Sequence, residues 1–212
     1  MEPQKNSEIG PIKPKKKRDV RRQEIINAAI DIFYEYGYHK ASMRDIARRI
    51  GVTQASLYYH FRNKEEICYT IVSKTSNELL LTLRSILKHN KDPVEKLKDI
   101  IMGQTLMMKT RQKEVKILIE DKKFLSAELS KLIKDQEKMT FDIFKSNMED
   151  LRRQGKVRDF DLTTATFGIF GMINWLYHWY RPNGKLSLEE LADHSINILF
   201  YGLLSEDAIR QR

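Results

Sequence analysis

The stretch SMRDIARRIGVTQASLYYHFRNKEE, Ser42 to Glu66, decides the fold. Met43, Ile46, Ala47 and Ile50 recur at helical spacing, which predicts a short helix with one apolar side. Ser42 opens it, with Asp45 three residues on completing a capping box. Gly51 can take the left-handed conformation of a helix stop, Val52 is expected as a buried wedge, and Thr53 caps the next helix through its hydroxyl. Leu57 and Phe61 lie one turn apart and are expected to point inward. Gln54, Ala55, Ser56, Tyr58, Tyr59 and His60 are then left outside, where amide, methyl, hydroxyl and imidazole groups suit base edges and phosphate oxygens.

The whole chain of 212 residues suits a DNA-binding head with a larger helical body. Only five Pro and nine Gly interrupt it and strand-like alternation is scarce, so an all-α fold of about nine helices is expected. The head is placed at residues 19–66, behind a basic flexible arm at 1–18, with a larger helical body at 67–212. The formal charge of +9 is unevenly placed. Residues 1–22 hold eight Lys and Arg against three acids, including the run KKKR at Lys15 to Arg18, whereas residues 23–66 hold six of each sign. Nonspecific attraction to nucleic acid would therefore come largely from the arm, which can track phosphates or a minor groove; a solvated tail that only aids solubility is the alternative, and Pro3, Pro11 and Pro14 argue against order in it.

The single cysteine, Cys68, excludes an internal disulfide and argues against a Cys-rich zinc site; beside Ile67 it reads as a small core residue. With no secretory signal the chain reads as cytoplasmic. His39, His60, His89, His178 and His194 fall on different predicted elements without metal-ligand spacing, and no GxSxG, phosphate-cradling glycine loop or Cys/His nucleophile pattern occurs. No metal, cofactor or catalytic residues are expected, and an enzyme is disfavoured.

Ser42 to Glu66, together with IINAAIDIFYEYGY (Ile25 to Tyr38), resembles the helix-turn-helix region of the tetracycline-repressor (TetR) family of bacterial regulators, through the RDIA run, the GVT turn, SLYYHF and NKEE. The resemblance implies a homodimer on a palindromic double-stranded operator, with residues 67–212 as the ligand-binding and dimerisation domain. Carried onto matching positions, it gives a DNA-binding set of Arg44, Thr53, Gln54, Ala55, Ser56, Tyr58, Tyr59, His60 and Lys64. Arg44, Gln54 and Ser56 are assigned base discrimination, and Tyr58, Tyr59, His60 and Lys64 phosphate positioning.

The remaining punctuation predicts a helix from Lys64 to about Lys88 capped by Asn63, another opened by Asp92 and Pro93 and reaching about Thr110, and a linking helix near Gln112 to Glu120. A long helix follows from Ser126 to Gln154, then one from Asp161 to Tyr180, the turn RPNG at Arg181 to Gly184, and a last helix boxed by Ser187 and Glu190. Leu162 to Tyr180 carries no formal charge, yet three Thr, Asn174 and His178 argue against a membrane span, so it is expected to be buried on most sides, between its own core and a partner subunit. The apolar stripe of the last helix, Leu188, Leu191, Ala192, Ile196, Leu199, Phe200 and Leu203, is expected to join it in a four-helix dimer interface.

NWLYHWYRPNGKLSLEELADHSINILFYGL (Asn174 to Leu203) resembles the branch of that family that represses fatty-acid and steroid catabolism, which implies a hydrophobic effector, an acyl-coenzyme A, that releases DNA. Met102, Met107, Met108, Phe141, Phe144, Met148, Phe170 and Trp175 are expected to line its apolar pocket, with Asn174 and His178 as polar contacts. A DNA-binding protein of the same fold without a small-molecule effector, architectural or partner-controlled, is the alternative.

Overall fold

The computed structural model describes residues 14–89, 91–203 and 206–210. The chain is helical almost throughout, with no strand among the described residues. Helix α1 (Pro14–Lys40) buries Ile25, Ile26, Ala29, Ile32 and Phe33 along one side and passes through Gly37, whose φ of 77° turns the last residues out of line. Helix α2 (Met43–Arg49) and helix α3 (Gln54–His60) form the expected pair. Ser42 and Asp45 complete their capping box, Gly51 turns at φ 68°, and the Thr53 hydroxyl accepts from the Ser56 amide at 3.1 Å. Val52 is half-buried against the head core.

Helix α4 (Lys64–Leu87), capped by Asn63, leads from the head into a body of α5 (Pro93–Leu106), α6 (Met108–Glu120), a 3-10 turn (Lys122–Phe124), α7 (Ala127–Arg153), α8 (Leu162–Asn174), α9 (Leu176–Trp179), α10 (Leu188–Leu203) and α11 (Glu206–Arg210). Taking α8 with its short continuation α9, and setting the five-residue α11 aside, gives nine helices among the described residues, in line with the about nine that the sequence predicts. The head core does not stop at residue 66: Ile67, Cys68, Ile71 and Val72 of α4, Ile117 of α6, Leu125 at the end of the 3-10 turn and Ile133 of α7 pack with Phe33, Ile46, Leu57 and Phe61. Head and body therefore share one apolar interior where they meet. A second core joins α4, α5, α7, α8 and α10 around Leu97, Phe144, Met148, Ile169 and Phe200.

Several boundaries differ from expectation for local reasons. Helix α1 begins at Pro14, where proline is tolerated in a first turn, so Lys15 to Arg18 belong to a helix rather than to a flexible arm; residues 1–13 of that arm lie outside the described residues. Helix α5 ends at Leu106, short of Thr110, and α6 bends at Arg111 (φ −132°), whose guanidinium holds Glu78 at 2.8 Å and Glu114 at 3.1 Å. The helix expected to run to Tyr180 breaks at Trp175, and Gln112 of α6 donates to the freed carbonyls of Tyr177 and Tyr180 at 3.3 and 3.1 Å. The Ser187 and Glu190 box is present. Among the described residues no helix is long and apolar enough to cross a membrane.

The outer side of the body reverses one expectation. Leu188, Ala192, Ile196 and Phe200 of α10 are buried in the chain's own cores, and the side chain of Leu203 lies outside the described residues. What α8 to α10 leave exposed is another face, with Phe167, Gly168, Gly171, Trp175, Ile198 and Tyr201.

Candidate DNA interface and effector cavity

Leu57 and Phe61 are fully buried, which fixes the rotation of α3 and leaves Gln54, Ala55, Ser56, Tyr58 and Tyr59 exposed, with Thr53 before them and Arg44 on α2. Tyr59 is 71% exposed, a large ring held out into solvent at the end of α3. Two further cations stand beside this face. Arg22 donates to the His60 carbonyl at 2.7 Å and lies 3.9 Å from the Phe61 ring centre, and Arg18 lies 5.7 Å from that of Tyr59. Sequence reasoning placed Arg18 in the arm and passed over Arg22; their spacing of four residues puts both on one side of a helix, and that was the available signal. His60 is half-buried, its Nδ1 has no partner, and burial first, then the charges of Arg18, Arg22 and Arg21, hold its pKa below the ordinary histidine value.

Lys64 requires a correction. Its ammonium donates to the carbonyls of Tyr38 at 2.6 Å and Ala41 at 2.8 Å, and lies 4.1 Å from the Tyr38 ring centre. The chain reversal at Gly37 leaves carbonyls that need a donor, and the first residue of α4 is in reach. Desolvation lowers the Lys64 pKa even there. Two of the three N–H donors of the ammonium assigned to a phosphate are thus engaged by the fold.

In the body, a cavity of about 480 Å³ opens between α4, α5, α6, α7 and α8. Of the expected pocket residues, Met107, Met108, Phe141, Phe170 and Asn174 line it. The others do not. Phe144 and Met148 are fully buried in the body core, with Phe144 meeting Phe170 edge-on at 4.7 Å, and Met102 packs against the same core. Trp175 and His178 stack on one another at 4.7 Å on the outside of the molecule. The break after Asn174 and the inward turn of Leu176, Tyr177 and Tyr180 leave those two rings facing out.

The cavity also takes residues that sequence reasoning missed. Leu79, Val115, Leu118 and Ile119 add to its apolar wall, and Phe167 reaches it beside Phe141 at 5.0 Å while remaining 61% exposed on the outer face. Ser76 and Gln104 are buried polar members from α4 and α5. At the rim stand Lys122, Lys134, Glu137 and Lys138. Lys122 pairs with Glu137, Lys138 with Asp142 at 2.6 Å, and Lys134 has no ion-pair partner among the described residues. The arrangement can hold an apolar group inside and an anion at the entrance.

Cavity and head are joined by the short segment after α6. Lys122 lines the rim; two residues on, Phe124 stacks on Tyr38 at 5.6 Å and meets His39 edge-on at 3.9 Å. Tyr38 is the residue whose ring and carbonyl hold Lys64, four residues after the end of α3. Asp121 is buried beside this junction, and desolvation raises its pKa although the Tyr38 backbone N–H donates to it. Burial pushes the Cys68 thiol up to about 12, consistent with an unreactive core residue.

Comparison with known proteins adds an independent line. Residues 25–68 match the family described as bacterial regulatory proteins, tetR family, and residues 90–203 match the tetracyclin repressor-like C-terminal domain. The chain is 28% identical over 191 residues to the transcriptional repressor KstR2 of Mycolicibacterium smegmatis, covering 86% of this chain and 90% of that one. It is similar, at TM-score 0.79 and 29% identity, to the crystal structure of AibR in complex with isovaleryl coenzyme A and operator DNA, over 85% of this chain and 98% of that one. The structure of KstR2 of Mycobacterium tuberculosis shares the fold at TM-score 0.82 and 24% identity, covering 93% and 98%.

Proposed function

The chain belongs to the tetR family of bacterial regulatory proteins, and from that premise we propose that it binds a palindromic operator as a homodimer and represses transcription until an acyl-coenzyme A enters the body cavity. The observation that carries this reading is the joining of an exposed recognition helix to an apolar cavity with lysines at its rim, through the contiguous contacts of Lys122 to Phe124. The volume is within the range of small-molecule sites and accommodates an acyl group rather than a whole coenzyme A. Adenine and phosphates would therefore remain toward the rim, where Lys134 has charge to offer. The similarity to AibR, a protein crystallised with isovaleryl coenzyme A, supports the same ligand class here.

The exposed rings of Phe167, Trp175 and Tyr201, with Ile198, support a subunit interface built by α8 and α10. Phe167 touches both cavity and face, so a ligand against Phe141 and Phe170 would bear on how two subunits sit together. Two heads must reach successive major grooves about 34 Å apart, and a ligand that favours another spacing weakens binding by its differential affinity, typically about 1 to 3 kcal/mol of coupling. Such coupling lowers operator affinity without forbidding a ternary complex, in keeping with the AibR crystal, which holds both ligands.

The test is fluorescence anisotropy on DNA from the chain's own promoter region, titrated with acyl-coenzyme A thioesters and with free coenzyme A. Release over the concentration range in which the thioester binds is expected, with free coenzyme A inert. Saturation by thioesters of varied chain without loss of DNA binding would refute the effector assignment and favour a partner-controlled regulator.

A further inference from the structure

The inner wall of the cavity is not uniformly apolar, and its polar atoms fall into two kinds. The Thr75 hydroxyl donates to the Ile71 carbonyl at 2.8 Å and that of Thr140 to Gln136 at 3.3 Å, so both are satisfied by their own helices. Ser76 and Gln104 are different. Ser76 is 4% exposed and its Oγ has no partner; Gln104 is 5% exposed, its Nε2 donates to Asn174 Oδ1 at 2.9 Å, and its Oε1 has none. Three helices, α4, α5 and α8, deliver these groups to one cavity. Buried polar atoms are ordinarily hydrogen-bonded, and orphans lining a ligand-sized space point to a partner that arrives from outside.

The orphan set also describes that partner. The bond between the two carboxamides consumes one donor and one acceptor, and turning both amides over reproduces it with the roles exchanged. In either orientation the pair still offers an oxygen and an N–H. The Ser76 hydroxyl can donate or accept. A neutral group that does both is therefore complementary, whereas a bare hydrocarbon leaves the orphans buried. A carboxylate would find no cation beside it, since the cavity's lysines, Lys122, Lys134 and Lys138, stand at its rim on partly or fully exposed side chains.

We propose that the effector carries a hydroxyl or carboxamide on the part lodged innermost, held by Gln104, Asn174 and Ser76, so that hydroxylated acyl chains or rings are bound in preference to unsubstituted ones. This rests on the cavity being the effector site. The test is calorimetric titration of the protein with acyl-coenzyme A thioesters from butanoyl to decanoyl, each with and without a terminal hydroxyl. At the best-fitting length the hydroxylated member should bind at least about tenfold tighter. Gln104→Leu should remove most of that preference and Ser76→Ala should reduce it, with operator binding and thermal melting checking that each variant is folded. Equal or tighter binding of the plain series at every length, or a preference unchanged in Gln104→Leu, overturns the proposal.

A parallel series of free alkanols and their methyl ethers, followed by thermal shift, reads the polar wall without coenzyme A. If no thioester binds but alkanols are preferred and Gln104→Leu removes that preference, the thioester assignment fails and the hydroxyl inference stands. If alkanols and ethers stabilise the protein alike and no hydroxylated thioester is preferred, the inference is wrong.

Discussion

Replacing Lys64 with Ala separates a lysine that binds a phosphate from one that holds the fold. Its ammonium makes two charge-assisted hydrogen bonds, to Tyr38 at 2.6 Å and Ala41 at 2.8 Å, and faces the Tyr38 ring. Bonds to charged groups contribute about 1.5 to 3 kcal/mol each. Against that stands the desolvation that lowers the Lys64 pKa, and the side chain is only half-buried, so solvent screens it. A net destabilisation of about 2 kcal/mol results, which for a chain of this size lowers the melting temperature by about 4 to 8 °C. Lys64→Met retains the stem over Tyr38 but not the donors, and should lose a similar amount. Operator affinity, measured by anisotropy between low and moderate salt, should keep its wild-type slope. A phosphate-bound lysine would contribute about 0.9 to that slope. A slope reduced by that amount with an unchanged melting temperature would refute the structural role.

Gln54→Ala should relax base preference at one operator position by about 1 to 3 kcal/mol, read by anisotropy on single-base operator variants, while leaving the salt slope unchanged. His60 has a lowered folded pKa, so its contribution to stability is present above the ordinary histidine pKa of about 6.5 and is lost as pH falls from there through the folded value; urea midpoints of His60→Gln should lack that part of the acid-side decline. Ile198→Glu, on the outer face of α10, should shift the chain toward monomer in sedimentation and lower operator affinity, and a dimer that persists at low micromolar concentration would place the interface elsewhere. Phe124→Ala should leave ligand-free operator binding within about threefold of wild type yet diminish release by the thioester, a loss of up to about 1 to 3 kcal/mol of coupling measured by comparing ligand affinity with and without DNA.

Local chemistry was legible and non-local geometry was not. Each helix start read from Ser42, Thr53, Asn63, Asp92, Asp161 or Ser187 is a real cap, because a cap is decided within about four residues. The inward pair Leu57 and Phe61 was legible for the same reason. The cavity wall was only partly so. Ser76, Gln104 and Leu118 stand on three different helices, and nothing in their sequence neighbourhood distinguishes them from other interior residues. Leu162 to Asn174 is apolar on most sides, so periodicity does not say which face meets the core and does not separate the outward Trp175 and His178 from cavity residues. In α10 the stripe was real but turned inward, since the chain's own core at Leu97 and Phe144 takes the apolar side first. Lys64 misled because its position beside the recognition helix is correct while its ammonium answers a backbone need that only the fold creates.

The same junction limits how a ligand can act on DNA. Because Ile117, Leu125 and Ile133 belong to the core that also holds Leu57 and Phe61, the head has no hinge free of the body, and a small shift of α6 or α7 must be accommodated by side chains that also fix α3. The route is short. The ion pair of Lys122 and Glu137 ties the cavity rim to α7, Phe124 ties the next turn to Tyr38, and Tyr38 ties the end of α1 to Lys64. These contacts form one continuous physical path from the cavity rim to Lys64 beside the recognition helix. The double comparison of Phe124→Ala, with DNA and with ligand, turns that continuity into a measurable free energy. If ligand and operator still weaken one another by the wild-type factor when the Phe124 ring is gone, coupling runs through the subunit face at Phe167 instead, and the paired variant Phe167→Ala should then carry the loss.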